Sequence, residues 1–204
     1  CSIVTCSSIT ASAQMTREWS LAREGTPCRL LFAPNGDVVV GATIVAPGSA
    51  AYHDSVVARF SPSGQLLWQW RSNESQDDLM HDLALDAQGD IIAYGVIGTS
   101  GAGQAPFVAR IIKITGAGQR QWTANYTPNR VGLNTYAEGV RIAPDGGIYI
   151  FGKDYGQSTS QDAFIARFNQ AGAHQWTFRR AGPGPGSRDQ PARCTRHGKS
   201  PHNG

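Results

Sequence analysis

The chain is poor in charge and in sulfur: of 204 residues only 16% are Asp, Glu, Lys or Arg, with four cysteines and two methionines. No stretch reaches the ~18 consecutive apolar residues of a transmembrane helix, so no such span is expected. No window of about 10 to 12 residues places apolar side chains at helical spacing, which argues against an α-helical domain. There is no C-x-x-C pair and no cysteine with a histidine at zinc-ligand spacing, which argues against a structural zinc site. The G-x-S-x-G elbow, the H-E-x-x-H helix and the phosphate-binding loop are all missing, so the best-marked hydrolase, metalloprotease and nucleotide-hydrolase chemistries have no carrier. A D-x-D-x-D-G calcium loop is missing too.

Positive charge is also scarce where it would matter. Residues 179–204 hold six basic side chains (Arg179, Arg180, Arg188, Arg193, Arg196, Lys199) and one acid (Asp189), a net +5, whereas residues 1–178 hold twelve basic and fourteen acidic, a net −2. The basic excess therefore belongs to a Gly- and Pro-rich tail, 179–204, with almost nothing to bury and no expected fold. Nucleic-acid binding wants basic residues on a folded face or among aromatics, so none is expected.

At the other end, residues 1–13 are read as the remnant of a secretory signal. CSIVTC is small and apolar, Ala11-Ser12-Ala13 fits the small-x-small cleavage pattern before Gln14, and the charged start of such a signal is missing from a chain that begins at Cys1. The expectation is a secreted, periplasmic or cell-surface protein. Thr5 before Cys6 fits a lipoprotein poorly. Whether Cys28 and Cys194 pair in an oxidising compartment is left open.

What the chain does have is glycine, 24 residues of it, and a phrase that returns. DSVVARFSPSGQLLW (54–68), APFVARIIKITGAGQRQW (105–122) and DAFIARFNQAGAHQW (162–176) share apolar runs, an arginine, a glycine and a tryptophan. Trp68, Trp122 and Trp176 stand 54 residues apart each time, as do Gly64, Gly118 and Gly172. Upstream of each lies a second glycine turn, at Gly36, Gly89 and Gly146, flanked by short β-branched runs. Glycine there supplies the positive φ that hairpin turns need. Each unit divides into four strands, giving repeats at about 30–70, 83–124 and 140–178, inside a folded region 14–178. Four short strands repeated at such a period predict an all-β chain: a partial β-propeller of three four-stranded antiparallel blades, read as a fragment of a larger propeller, with two chains meeting in a six-bladed ring as the alternative. A further outer strand is expected near 17–23, with Trp19 in the place of a repeat tryptophan.

The repeated side chains read as structural. Arg59, Arg110 and Arg167 are aligned as one repeat position, each expected to lay its stem along a blade and pair its head with an acid or a strand-end carbonyl. The tryptophans are expected to fill the space between blades. Asp77, Asp78, His81, Asp82 and Asp86 form the one local cluster that could suggest a metal, but the other units carry no equivalent, and the plainer reading is solvated loop charge. No catalytic, cofactor-binding or metal-ligating residue is assigned.

The hairpins PNGDVVVGAT, DAQGDIIAYGV and PDGGIYIFGK, the strands SVVARF, FVARI and AFIARF, and the G-x-x-x-W spacings resemble the bacterial β-propeller repeats called SBBP-type, or the related delta-60 repeat, over roughly residues 17–178. The resemblance implies a secreted or surface protein of bacteria and supplies no catalytic residues. G-x-x-x-W is also similar to the docking motif of quinone-dependent dehydrogenase propellers, but the acid and disulfide of that family's cofactor site are not recognisable. The expected function is a non-catalytic scaffold binding a protein or glycan. The alternatives are a propeller part of a quinoprotein-like or carbohydrate-active enzyme, or a truncated fragment without function. Three blades leave unpaired edges, so self-association through them is expected as well.

Overall fold

The computed structural model describes residues 25–48, 52–72, 77–100, 104–126, 134–155 and 161–180. The expected signal remnant, the strand near 17–23, Cys194 and the tail beyond 180 lie outside the described residues. The fold is all-β, with twelve strands among the described residues: β1 (Thr26–Phe32), β2 (Val38–Val45), β3 (His53–Phe60), β4 (Leu66–Arg71), β5 (Asp78–Leu85), β6 (Ile91–Ser100), β7 (Gln104–Ile114), β8 (Arg120–Tyr126), β9 (Asn134–Ile142), β10 (Ile148–Tyr155), β11 (Gln161–Phe168) and β12 (His174–Arg180). They form three four-stranded antiparallel sheets, β1–β4, β5–β8 and β9–β12, each a plain meander. This is a partial propeller-like arrangement. No helix among the described residues is long and apolar enough to cross a membrane. The last strand runs to Arg180, two residues into the segment assigned above to the tail.

The first and third hairpins of each sheet, six in all, close in the same way. In the β1–β2 turn the Gly36 amide donates to the Ala33 carbonyl and the Ala33 amide to the Asp37 carbonyl, and this pair of bonds recurs at Asp86–Asp90 and Ala143–Gly147. The β3–β4, β7–β8 and β11–β12 turns repeat it around Gly64, Gly118 and Gly172. Gly36, Gly89 and Gly146 sit at φ of 86, 79 and 78°, the left-handed region that other L-residues enter only at a cost. The first strand of each sheet carries a bulge at the same place: Cys28, His81 and Glu138 are the residues skipped between Pro27/Arg29, between Met80/Asp82 and before Gly139.

Strand alternation gives each sheet two apolar faces, and the sheets stack in series. One face of sheet 1 (Val39, Val57, Trp68, Trp70) packs on Ile91, Ala93, Ile112 and Ile114 of sheet 2. The opposite face of sheet 2 (Ile92, Tyr94, Ile111, Trp122) packs on Ile148, Ile150, Ala166 and Phe168 of sheet 3. Sheet 2 therefore has a front that receives sheet 1 and a back that meets sheet 3, and the corresponding faces of sheets 1 and 3 take the same names.

Candidate functional site

Three places gather polar chemistry: the joints between sheets, the innermost strands, and a crevice at the turn ends. The joints use the repeat tryptophans. Trp68 Nε1 donates to the Gly116 carbonyl at 2.9 Å, and Trp122 Nε1 to the Gln170 carbonyl at 3.2 Å, each reaching the outer turn of the next sheet. The indole lies flat on that turn's glycine: a Cβ on Gly118 would stand 2.7 Å from Trp68, and one on Gly172 2.9 Å from Trp122. Glycine is thus needed there for contact as well as for φ.

Arg59 shares the first joint. Its Nε donates to Asp37 at 2.8 Å and its Nη1 to the Gly116 carbonyl at 3.1 Å, the atom that also takes Trp68. The Asn35 side chain, the Arg59 guanidinium and their hydrogen bonds hold the Asp37 carboxyl below the usual carboxylate range against the opposing effect of burial. Arg167 pairs with Asp145 at 2.6 Å and lies over the Tyr149 ring.

Arg110 does not occupy the position the sequence alignment gave it. Arg59 stands opposite Trp68 and Arg167 opposite Trp176, but the residue opposite Trp122 is Lys113. Lys113 bridges Asp86 at 2.8 Å and Asp90 at 3.2 Å. Burial alone would lower the Lys113 pKa; the two carboxylates outweigh it and hold the ammonium above its ordinary range. The signal was present: Lys113 is 54 residues from both Arg59 and Arg167, the period of the tryptophans. Arg110, three residues earlier, instead faces sheet 1, where its Nε donates to Asn125 at 3.1 Å and its Nη1 approaches Asp78 at 3.5 Å.

The expected solvated acidic cluster is likewise corrected. Asp77, Asp78 and Asp82 are buried. Charges removed from water must be paired, and the partners come from other parts of the fold. Asp77 accepts from the His53 backbone amide and contacts its ring, both at 2.9 Å. Asp82 lies between the innermost strands of all three sheets: Oδ1 meets Arg29 Nε of β1 at 2.8 Å and accepts from the Leu83 amide at 2.9 Å, and Oδ2 meets Arg141 Nη1 of β9 at 2.8 Å and accepts from the Val140 amide at 3.0 Å. No group of three metal-ligating side chains with suitable geometry occurs among the described residues.

Beside Asp82 the bulges bring Cys28, His81 and Glu138 to the inner strands. Burial, with the nearby Asp82 charge, pushes the Cys28 thiol up to about 12, so it is an un-ionised and poor nucleophile at neutral pH. Burial lowers the His81 pKa against the pull of Glu138, leaving a neutral imidazole. Glu138 itself pairs with Lys153 at 2.7 Å on the surface.

The crevice opens between the β5–β6 and β9–β10 turns, with a volume of about 420 Å³. Its floor is apolar (Ile92, Ile142, Ile148) and its rim polar (Gln88, Asp145, Gln170), with Ala87 exposed at its lip. Asp145 is kept below the usual carboxylate range by the Gly147 amide first and by Arg167 second.

No family model matches this sequence, and no curated protein matches it. Among solved structures it is similar to a protein of unknown function from Bacteroides caccae, with a TM-score of 0.40, 8% identity, and coverage of 78% of this chain and 68% of that one. A likeness at that level decides neither fold nor function.

Proposed function

We propose that the chain is a non-catalytic binding scaffold of propeller type, secreted or displayed on a bacterial surface, and that it takes a protein or glycan ligand in the crevice between the turns of sheets 2 and 3. The observation that carries this reading is the crevice itself. Its volume falls in the range of small-ligand sites, and its open lining mixes apolar side chains with the polar Asp86, Gln88, Lys113, Asp145 and Gln170. Loops at the end of a rigid array of strands are where such folds place recognition. The strongly perturbed groups support binding over reaction: a thiol held un-ionised and a lysine locked between two carboxylates stabilise the sheets and are not poised to exchange protons near pH 7.

The test is calorimetric titration of the purified chain with a panel of bacterial-surface oligosaccharides and peptides, followed by analysis of the recovered ligand. Binding with the ligand returned unaltered supports the proposal, provided that Ala87→Trp, which fills the crevice from its lip, abolishes binding without changing the melting temperature. Turnover of any oligosaccharide, or dye-linked oxidation on adding quinone and calcium, overturns the non-catalytic reading. Binding that survives Ala87→Trp overturns the site.

A further inference from the structure

The two ends of the sheet array are the two halves of one joint. At the joints inside the chain, the back of one sheet presents a tryptophan, and the next sheet presents a front of apolar side chains plus an outer turn with a carbonyl and a glycine. Sheet 3 has a complete back and sheet 1 a complete front, and among the described residues neither is covered by another sheet; on the front the central Val40, Ala58 and Phe60 are buried and the exposed part is its margin. Most of the exposed large hydrophobic residues sort onto these two faces. By strand register, Leu30, Phe32 and Leu66 belong to the front of sheet 1, and Phe151, Ile165 and Trp176 to the back of sheet 3.

The polar parts match too. On sheet 3, Trp176 stands where Trp68 and Trp122 stand, its ring edge-on to Tyr149 at 5.8 Å. Arg167 stands where Arg59 stands, with its head on Asp145 of its own sheet. On sheet 1, the carbonyl in register with those of Gly116 and Gln170, 54 residues before the first, is that of Pro62. A Cβ placed on Gly64 would meet nothing within 4 Å among the described residues, whereas Gly118 and Gly172, its counterparts, lie under indoles.

We propose that the front of sheet 1 receives the back of sheet 3 from a second copy of this chain, with Trp176 seated on the Gly64 turn and donating to the Pro62 carbonyl. The contact is head-to-tail, so it forms a ring or a filament according to the rotation between subunits. The three sheets among the described residues give a ring of six when two chains close on each other, inside the four-to-eight range of propellers. Edge-to-edge strand pairing has no part in it. The second copy is favoured over an unrelated partner because this one chain carries both halves of a joint that it already forms twice internally. The proposal is independent of what the crevice binds.

The test is sedimentation equilibrium of the full chain over a wide concentration range, with two charge-inserting variants, Phe32→Glu on the front and Ile165→Glu on the back. Both sites are exposed, and circular dichroism at high dilution checks that each variant keeps the parent's β signal. Twice the chain mass is expected for the parent, and single-chain mass for each variant alone. An equimolar mixture of the two variants retains one undamaged front and one undamaged back and is expected to recover a one-to-one dimer. Trp176→Ala, a milder change, should weaken dimerisation at least about tenfold. A parent that stays monomeric throughout, with its front covered by residues before 25 or by a further sheet of a longer chain, overturns the proposal. A dimer that survives both charge insertions also overturns it, in favour of edge pairing, and mass growing without limit overturns the closed ring.

Discussion

Replacing Asp82 by asparagine probes the place where all three sheets meet. The change keeps shape and removes charge. Each oxygen of Asp82 serves one arginine and one backbone amide, so an amide nitrogen placed at either position points a donor at two donors. One buried backbone N–H then loses its acceptor, at about 1–3 kcal/mol. The arginines contribute less, because the Arg29 and Arg141 side chains are 40% and 58% exposed and regain water when released. Their two ion pairs are therefore closer to surface pairs, at roughly 0.5 kcal/mol each. The sum is about 2–4 kcal/mol, below the full penalty for stranding a buried charge because neither arginine is stranded. Urea unfolding at fixed protein concentration measures it: Asp82→Asn should lower the midpoint with the slope unchanged. Glu138→Gln, which breaks a pair exposed on both sides, should leave the midpoint where it is. If Asp82→Asn moved the midpoint no more than Glu138→Gln, the claim that Asp82 fastens the sheets would be wrong.

The joints give a paired comparison: Gly118→Ala and Gly89→Ala impose the same strain at φ of 85 and 79°, but only the former drives a methyl into Trp68. Gly118→Ala should therefore cost about 1–2 kcal/mol more in the same unfolding assay. Lys113→Met should lower stability by about 1–2 kcal/mol, less than a fully buried pair because its head keeps some water. Arg167→Met, whose partner Asp145 is exposed, should leave the midpoint unmoved within error. Cys28 should resist alkylation in the folded chain at pH 8.5 and react on unfolding, as read by peptide mass mapping. With its pKa raised from 9.0 to about 12, the unfolded chain loses this proton first, so Cys28's contribution to stability is complete below pH 9 and declines between 9 and 12. Cys28→Ala should make the alkaline fall in stability shallower.

The strands, their order and both sets of turns were legible in the sequence because each depends on near neighbours: a glycine at positive φ, a β-branched run, the alternation of a strand. The 54-residue spacing of Trp68, Trp122 and Trp176 carried the three sheets for the same reason. The alignment of Arg110 failed where a short word outweighed that spacing. A-R after a β-branched residue occurs in all three phrases, but in β7, an eleven-residue strand, it comes three residues early. Three residues change which face of a strand a side chain takes, so Arg110 points to the front and Lys113 to the back, where Arg59 and Arg167 lie.

The acids between residues 77 and 86 were misread for a different reason. Their burial is decided by groups that the local sequence does not contain: Arg29 lies 53 residues before Asp82 and Arg141 lies 59 after it, close to one repeat in each direction. A repeat protein places residues one period apart against one another, because consecutive sheets stack. Charges isolated in their own unit should therefore be read against the units on either side before they are assigned to solvent. By that rule an acid on an inner strand, with arginines about one period before and after it, marks a joint between three sheets. The rule also says where pairing runs out. Arg59 has a following sheet whose Gly116 carbonyl its Nη1 reaches, whereas Arg167, two periods on, has no following sheet among the described residues and gives its Nη2 to Asp145 of its own sheet. The same position in the array separates Trp68, whose indole reaches the Gly116 carbonyl of the next sheet, from Trp176, which has no following sheet among the described residues.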